Sequence, residues 1–128
     1  MKALLDTHTF IWAITDERRL SPRARSLIAS SELWWSVVSL WEAIQKAQVG
    51  KLSLPLPAGP FLTGELRSNH VRLLPVSLSH VLRVEELPLH HRDPFDRLII
   101  AQAYLEGMVL GTQDRRMRPY GIVTLGLN

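Results

Sequence analysis

The sequence predicts an α/β protein built around a parallel sheet. Short apolar runs rich in β-branched residues alternate with longer segments of helical periodicity, which is the pattern of βαβ units. The chain has 128 residues, close to the commonest size of one domain. A chain of this length buries enough surface to fold without disulfides or structural zinc. We therefore expect one domain over residues 1–128.

The strands are predicted where apolar and β-branched residues cluster: 2–6, 33–38, 72–76, 108–112 and 121–125. The helices are predicted where the apolar period lengthens: 8–15, 22–30, 40–49, 58–69, 78–86 and 94–106. Residues 53–60, "SLPLPAGP", contain three prolines and are typical of a connector. Trp34 and Trp35 are neighbours on a strand, so they should point to opposite faces of the sheet.

The composition excludes several classes of protein. There is no cysteine, which rules out disulfide frameworks, thiol nucleophiles and cysteine zinc sites and is consistent with a cytoplasmic location. Asp6 and His8 interrupt the apolar N-terminus, unlike a signal peptide, and no run approaches the ~20 apolar residues of a membrane span. The net charge of +3 comes mainly from arginine, which suits either phosphate binding or a solvated cationic face.

Two helix starts carry acidic residues. In "SLWE", Ser39 is predicted to cap a helix with Glu42 three residues later, a capping box. In "DPFD", Asp93 is the predicted cap, followed by Pro94 at the first helical position and Asp96 at the third. Capping alone contributes about 1 kcal/mol and explains either acid without an active site.

A second interpretation follows from the positions of the acids in the fold. Asp6 ends the first predicted strand and Asp114 follows the fourth, and helix starts open at the same edge of a parallel sheet. The helix after Asp96 is apolar nearly all round, so it should be buried against the sheet. Asp6, Glu42, Asp96 and Asp114 can therefore gather at one edge.

Four carboxylates in one cavity would repel each other. Two unit charges about 4 Å apart repel by about 4 kcal/mol at an effective dielectric of ~20, so protonation or a bound cation must relieve the charge. Oxygen ligands without cysteine favour Mg²⁺ or Mn²⁺ over zinc. Such a cup with arginines nearby suits a phosphodiester, since a metal polarises the phosphoryl oxygen and lowers the pKa of an attacking water.

The chain resembles the PIN-domain family, specifically the VapC-type ribonuclease toxins of toxin–antitoxin pairs. The resemblance spans nearly the whole chain and rests on four segments in order: "LLDTHTFIW", "SVVSLWEAIQK", "HHRDPFDRLIIAQA" and "GTQDRRM". It implies a three-layer sandwich, with a five-stranded parallel sheet and helices on both faces. It also implies RNA cleavage dependent on Mg²⁺ or Mn²⁺, with catalytic Asp6, Glu42, Asp96 and Asp114, of which Asp6, Asp96 and Asp114 would be metal ligands.

The resemblance assigns further roles. Thr112 would brace Asp114 through a side-chain hydrogen bond, while Asp93 caps the helix and Asp96 faces the metal. His8 would support the site from beside Asp6 or serve only the structure. The family also implies a homodimer, a cognate antitoxin and a tRNA or rRNA substrate, with the basic residues Arg97, Arg115 and Arg116 as candidate RNA or antitoxin contacts.

Several points stay open from the sequence. Gly111 departs from the β-branched residue usual in the family and is expected to loosen the strand end. His90 and His91 fit a zinc site or, better, a loop role. Trp12 and Trp41 fit core packing, a partner helix or a stacked RNA base.

Two other functions fit these residues less well. This chain lacks the paired acids after the first strand and the lysine after the fifth strand that a receiver domain has. It also lacks the second aspartate of a haloacid-dehalogenase-like phosphatase, since His8 stands two residues after Asp6. The remaining alternative is a catalytically silent PIN-fold domain that binds RNA or protein.

Overall fold

A computed structural model describes residues 1–121 and, beyond them, the backbone of Thr124–Leu125. Four strands lie in the continuous range: β1 (Lys2–Leu5), β2 (Glu32–Ser36), β3 (Arg72–Leu74) and β4 (Val109–Gly111). A two-residue strand, β5 (Thr124–Leu125), pairs with β4 at the sheet edge. Of the strand predicted over residues 121–125, residues 122 and 123 lie outside the described part of the chain.

The helices follow the predicted segments closely. They are α1 (Thr7–Thr15), α2 (Pro22–Ser30), α3 (Val37–Gln48), α4 (Ala58–Ser68), α5 (Leu78–Val84) and α6 (Pro94–Glu106). Two 3₁₀ segments, Glu17–Arg19 and Arg115–Tyr120, complete the described structure. Within that part of the chain, no helix is long and apolar enough to cross a membrane.

The sheet is parallel in every pairing, with the strand order β3-β2-β1-β4-β5. Because β1 is central and the order reverses around it, the crevice beyond the carboxyl ends of β1 and β4 is where an α/β sheet binds ligands. The predicted α/β class with a parallel sheet is therefore confirmed, and the switch point lies beside Asp6.

The sheet is packed on both faces. Leu5 and Trp35 point into one core, against α1, α2, α3 and α4, whereas Leu4 and Trp34 point into a second core with α6. This alternation follows from the two-residue period of a strand, and it gives the three layers that the sequence predicts. Trp35 is fully buried, and its Nε1 donates to the carbonyl oxygen of Asp6 at 3.2 Å.

Two local expectations are wrong. The capping box of Ser39 and Glu42 does not form, because Ser36 at the end of β2 already caps α3 by accepting from the N–H of Val38. Ser39 instead lies inside the helix, 3.0 Å from the Thr7 hydroxyl. Gly111 does not loosen β4 either: a Cβ there would lie 2.8 Å from Cδ2 of Leu5, so the glycine permits the close packing of β1 and β4.

Candidate active site

The four acids predicted from the sequence meet in one pocket of about 380 Å³ at the carboxyl ends of the strands. The pocket is lined by Asp6, His8, Trp12, Glu42, Lys46, Asp93, Asp96, Gln113, Asp114 and Arg116. Segments from both ends of the described chain, from Asp6 to Arg116, thus contribute to one acidic cavity. The environment of each acid is different.

Asp6 is buried between β1 and α1. It is the N-cap of α1, where its Oδ1 accepts from the N–H of Thr9 at 2.8 Å, a role that the sequence analysis did not assign. Its Oδ2 accepts from the hydroxyl of Thr112. Burial raises the pKa of Asp6, and the hydrogen bonds from Thr112 and Thr9 offset this only in part.

Thr112 braces Asp114 with its side chain, as the resemblance implies, and it also contacts Asp6. Its hydroxyl donates to the Asp6 carboxyl and accepts from the backbone N–H of Asp114 at 3.0 Å. The expected bond between the Thr112 side chain and Asp114 is therefore present, at the Asp114 backbone, and the bond to Asp6 is an addition to it. One hydroxyl of Thr112 therefore links the side chain of Asp6 to the backbone of Asp114.

Glu42 lies on α3 and is only 3% exposed. Its Oε1 accepts from the Thr7 hydroxyl at 2.6 Å, and its Oε2 lies 2.6 Å from Nζ of Lys46. Neither partner was identified from the sequence, although the Glu-to-Lys spacing of four residues on a helix is a known signal for such a pair. The Glu42 charge is therefore compensated within the chain.

The predicted helix cap at Asp93 is present at the start of α6. Asp93 caps α6 by accepting from the N–H groups of Phe95 at 2.9 Å and Asp96 at 3.3 Å, with Pro94 in the first turn. Asp96 faces the pocket. Burial, followed by repulsion from Asp93, Asp6, Glu42 and Asp114, raises the pKa of Asp96 to about 8.

Asp114 follows β4 and caps the 3₁₀ segment Arg115–Tyr120. Its carboxyl accepts from Nε of Arg116 at 3.0 Å and from Nη2 at 2.8 Å. Burial alone would raise the pKa of Asp114, but the hydrogen bonds and charge of Arg116 outweigh it and hold that pKa below its usual range. Asp114 is thus the more readily ionised of the two acids next to His91.

His91 lies between the last two acids, a contact that the sequence analysis missed. Its Nε2 is 3.0 Å from Oδ2 of Asp96 and 3.3 Å from Oδ2 of Asp114, and its side chain is 1% exposed. The three residues could hold a cation by distance alone, because their ligand atoms lie within 4.8 Å of one another. The only sequence signal was the position of His91 two residues before the Asp93 cap.

The three candidate arginines have different environments. Arg116 lines the pocket and pairs with Asp114, while Arg115 is exposed and does not line the pocket. The guanidinium of Arg97 donates to backbone carbonyls, among them those of Val84 at 3.0 Å and Pro88 at 3.1 Å. Arg97 thus holds the loop before α6, and its contact with RNA or an antitoxin stays a prediction.

Aromatic rings border the pocket. His8 lines it next to Trp12, with ring centroids 5.8 Å apart. Trp41 is 58% exposed, and its ring makes an edge-to-face contact with that of Phe95, with centroids 5.0 Å apart. Trp41 directly precedes Glu42 on α3, and Phe95 directly precedes Asp96 on α6. The core-packing interpretation therefore does not apply to Trp41.

The donor set fits a divalent cation. Carboxylate oxygens from Asp6, Asp96 and Asp114 are hard ligands, which Mg²⁺ and Mn²⁺ prefer. Burial and the repulsion from neighbouring acids raise the pKa of Asp96, so the chain by itself stabilises the charged form of this carboxyl poorly. A cation at this position would remove that repulsion.

The fold and the acidic pocket are those of a PIN domain. The PIN domain family model matches residues 3–122, and the chain belongs to that family. It is similar to Ribonuclease VapC22 of Mycobacterium tuberculosis (strain ATCC 25618 / H37Rv), with 33% identity over 119 residues, covering 91% of this chain and 90% of the relative.

Solved structures share the fold at lower identity. VapBC2 from Rickettsia felis, crystallised with a DNA fragment from its promoter, has a TM-score of 0.71, 17% identity and 97% coverage of both chains. A toxin-antitoxin complex from Klebsiella pneumoniae has a TM-score of 0.67, 19% identity and 94% coverage of both chains. The expected resemblance to VapC-type PIN proteins is thus confirmed.

Proposed function

We propose that this protein is a metal-dependent endoribonuclease, the toxin of a type II toxin–antitoxin pair, which hydrolyses RNA phosphodiester bonds with Mg²⁺ or Mn²⁺. The observation that carries the proposal is the meeting of Asp6, Glu42, Asp96 and Asp114 in one pocket in which the pKa of Asp96 is raised to about 8. Perturbed carboxylates in a cleft are typical of a functional site, and a merely structural helix cap does not need them.

The relatives support the same class of activity. The curated relative is a ribonuclease, and solved structures of the same fold include toxin-antitoxin complexes. From these we infer a cognate antitoxin as partner, a homodimer, a tRNA or rRNA substrate and a cytoplasmic location for this chain. Co-expression with the candidate antitoxin and light scattering of the purified protein would test the first two.

The residues of the pocket would divide the work. Asp6, Asp96 and Asp114 would hold the cation, which when bound supplies a polarised phosphoryl oxygen and a water of lowered pKa. Glu42 would keep Thr7 and Lys46 in place beneath it. Lys46 and Arg116 would present positive charge to the non-bridging oxygens of the phosphodiester, as both line the pocket. The Asp96 carboxyl would give up its proton as the cation enters.

The test is RNA cleavage by purified protein on pooled tRNA and rRNA fragments, with Mn²⁺ or Mg²⁺ and with chelator. Asp6→Asn should abolish cleavage and keep the fold, because asparagine caps a helix as well as aspartate. Asp16→Asn is the matched control, since Asp16 is outside the pocket and pairs with Arg18. It should cut at the wild-type rate.

Two results would contradict the proposal. If Asp6→Asn cuts RNA like the wild type with the same metal dependence, the site assignment is wrong. If the wild type binds Mn²⁺ but leaves every RNA in the pool intact, the alternative gains support: a catalytically silent PIN-fold domain that binds RNA or protein.

A further inference from the structure

The His91 ring is held by polar contacts on both of its nitrogens. On one side, Nδ1 accepts from the backbone N–H of Asp93 at 3.1 Å. On the other, Nε2 faces the Oδ2 atoms of Asp96 and Asp114 at 3.0 and 3.3 Å. With a side chain only 1% exposed, the ring has no room to exchange these partners for water.

These contacts determine which nitrogen carries the proton. A ring nitrogen that accepts a hydrogen bond has no hydrogen, and a neutral imidazole has one N–H. Since Nδ1 accepts from Asp93, the hydrogen lies on Nε2 and is donated to Oδ2 of Asp114, while Oδ2 of Asp96 lies 3.0 Å from the same nitrogen. A nitrogen that carries hydrogen has no lone pair for a cation, so His91 is not a metal ligand despite its distance from the acids.

We propose that His91 is a positioning residue, whose Nε2–H donates to Asp114 and lies against the carboxyl of Asp96, so that it holds the two side chains side by side. The proposal rests on the metal site of the proposed function. Asp96 comes from α6 and Asp114 from the segment after β4, so no backbone hydrogen bond among the described residues joins these two side chains. A donor between them offsets their repulsion and aims both at the pocket.

The loop that carries His91 is held by hydrogen bonds to Tyr120 and Arg97. The N–H of His91 donates to the Tyr120 hydroxyl at 2.9 Å, and that hydroxyl donates to the Pro88 carbonyl at 2.8 Å. Arg97 donates to Pro88 and, at 3.4 Å, to the His91 carbonyl. A preorganised site requires such fixed support around its ligating residues. Arg97 and Tyr120 would provide that support by holding the loop of His91.

Two substitutions separate the functions of the two ring nitrogens. His91→Asn keeps an acceptor near the position of Nδ1, so the loop bond from Asp93 can remain while the donor to the acids is lost. His91→Gln keeps an N–H donor near the position of Nε2 and loses the acceptor. If His91 positions the acids, His91→Asn should weaken Mn²⁺ binding and His91→Gln should preserve it. If His91 serves only the loop, His91→Gln should be the more damaging of the two variants.

The measurement is Mn²⁺ affinity by titration calorimetry on the full chain, with folding checked by circular dichroism. We expect His91→Asn to weaken Mn²⁺ binding by about 10- to 100-fold, the usual loss when a group that orients metal ligands is removed. His91→Gln should stay within a few-fold of the wild type. Equal affinity of His91→Asn and the wild type, or weaker binding by Gln than by Asn, would overturn the proposal.

A spectroscopic test does not require cleavage or metal. In ¹⁵N-labelled, metal-free protein, the ring nitrogens of His91 should show the pattern of a neutral imidazole protonated at Nε2, and a ring protonated at Nδ1 would overturn the proposal. The two proposals also fail separately. Mn²⁺ binding with the expected order of variants but no RNA cleavage contradicts the nuclease alone, whereas RNA cleavage with unchanged Mn²⁺ affinity in His91→Asn contradicts the role of His91 alone.

Discussion

Nζ of Lys46 lies 2.6 Å from Oε2 of Glu42, one helical turn away on α3. A similar pairing joins Arg116 to Asp114 across 2.8 Å. The other two of the four predicted acids, Asp6 and Asp96, have no lysine or arginine partner among the described residues, and the pKa of each is raised. Of the four predicted acids, Glu42 and Asp114 are thus paired with a lysine or arginine side chain, and Asp6 and Asp96 are not.

The Lys46–Glu42 pair makes a prediction about stability. Lys46→Met should lower the free energy of unfolding by about 1–2 kcal/mol, between the values for an exposed and a buried pair, because Glu42 is left buried without its counter-charge. Urea denaturation of the chelated protein measures this. Lys51→Met, at an exposed position, is the control and should have little effect.

A second variant separates lost charge from lost packing. Adding Glu42→Gln to Lys46→Met removes the unpaired charge, so the double variant should recover much of the lost stability. If Lys46→Met is as stable as the wild type, the pair does not compensate Glu42 in solution.

Asp96 makes a prediction about pH. Its pKa is 3.8 in a model compound and about 8 in the folded protein, so the folded state binds more protons between these values. The stability of metal-free protein should therefore fall as pH rises from about 4 to about 8. Asp96→Asn should flatten this dependence and be more stable than the wild type near pH 8, as measured by melting temperature in chelator.

Saturating Mn²⁺ provides the converse experiment. It should raise the melting temperature of the wild type more at pH 8 than at pH 6, because the cation competes with the Asp96 proton. The Asp96→Asn protein should lose most of this effect. A wild-type melting temperature that rises with pH in chelator would show that the Asp96 charge is compensated by the chain after all.

Much of the site followed from the sequence because it depends on local rules. Asp6 and Asp114 follow strands, and Asp93 and Asp96 begin a helix, so the sheet topology alone brings the candidate ligands Asp6, Asp96 and Asp114 together. The errors came from contacts that no local pattern encodes. Ser36 displaced the predicted cap at Ser39. His91 was missed because its two acidic partners depend on tertiary packing.

The cap of α6 makes a local prediction. Asp93→Ala should cost about 1 kcal/mol of stability, because the N–H groups of Phe95 and Asp96 lose their acceptor. Asp93→Asn keeps the cap and should remain close to the wild type. Thermal or urea unfolding distinguishes them, and loss of RNA cleavage in Asp93→Ala at unchanged stability would show that Asp93 acts in the pocket instead of at the helix start.

Thr112 makes a prediction about both stability and metal binding, because one hydroxyl serves Asp6 and the backbone of Asp114. Thr112→Val keeps the shape but removes that hydroxyl, and it should cost about 1–3 kcal/mol, since a buried acceptor and donor lose their partner. The pKa of Asp6 should rise further once the Thr112 bond no longer opposes burial, so Mn²⁺ affinity should fall most at acidic pH. Thr112→Ser retains the hydroxyl and should preserve Mn²⁺ affinity, as measured by calorimetry at two pH values. Equal Mn²⁺ affinity in the valine and serine variants would mean that Asp6 is oriented by its helix-capping bond to Thr9 alone.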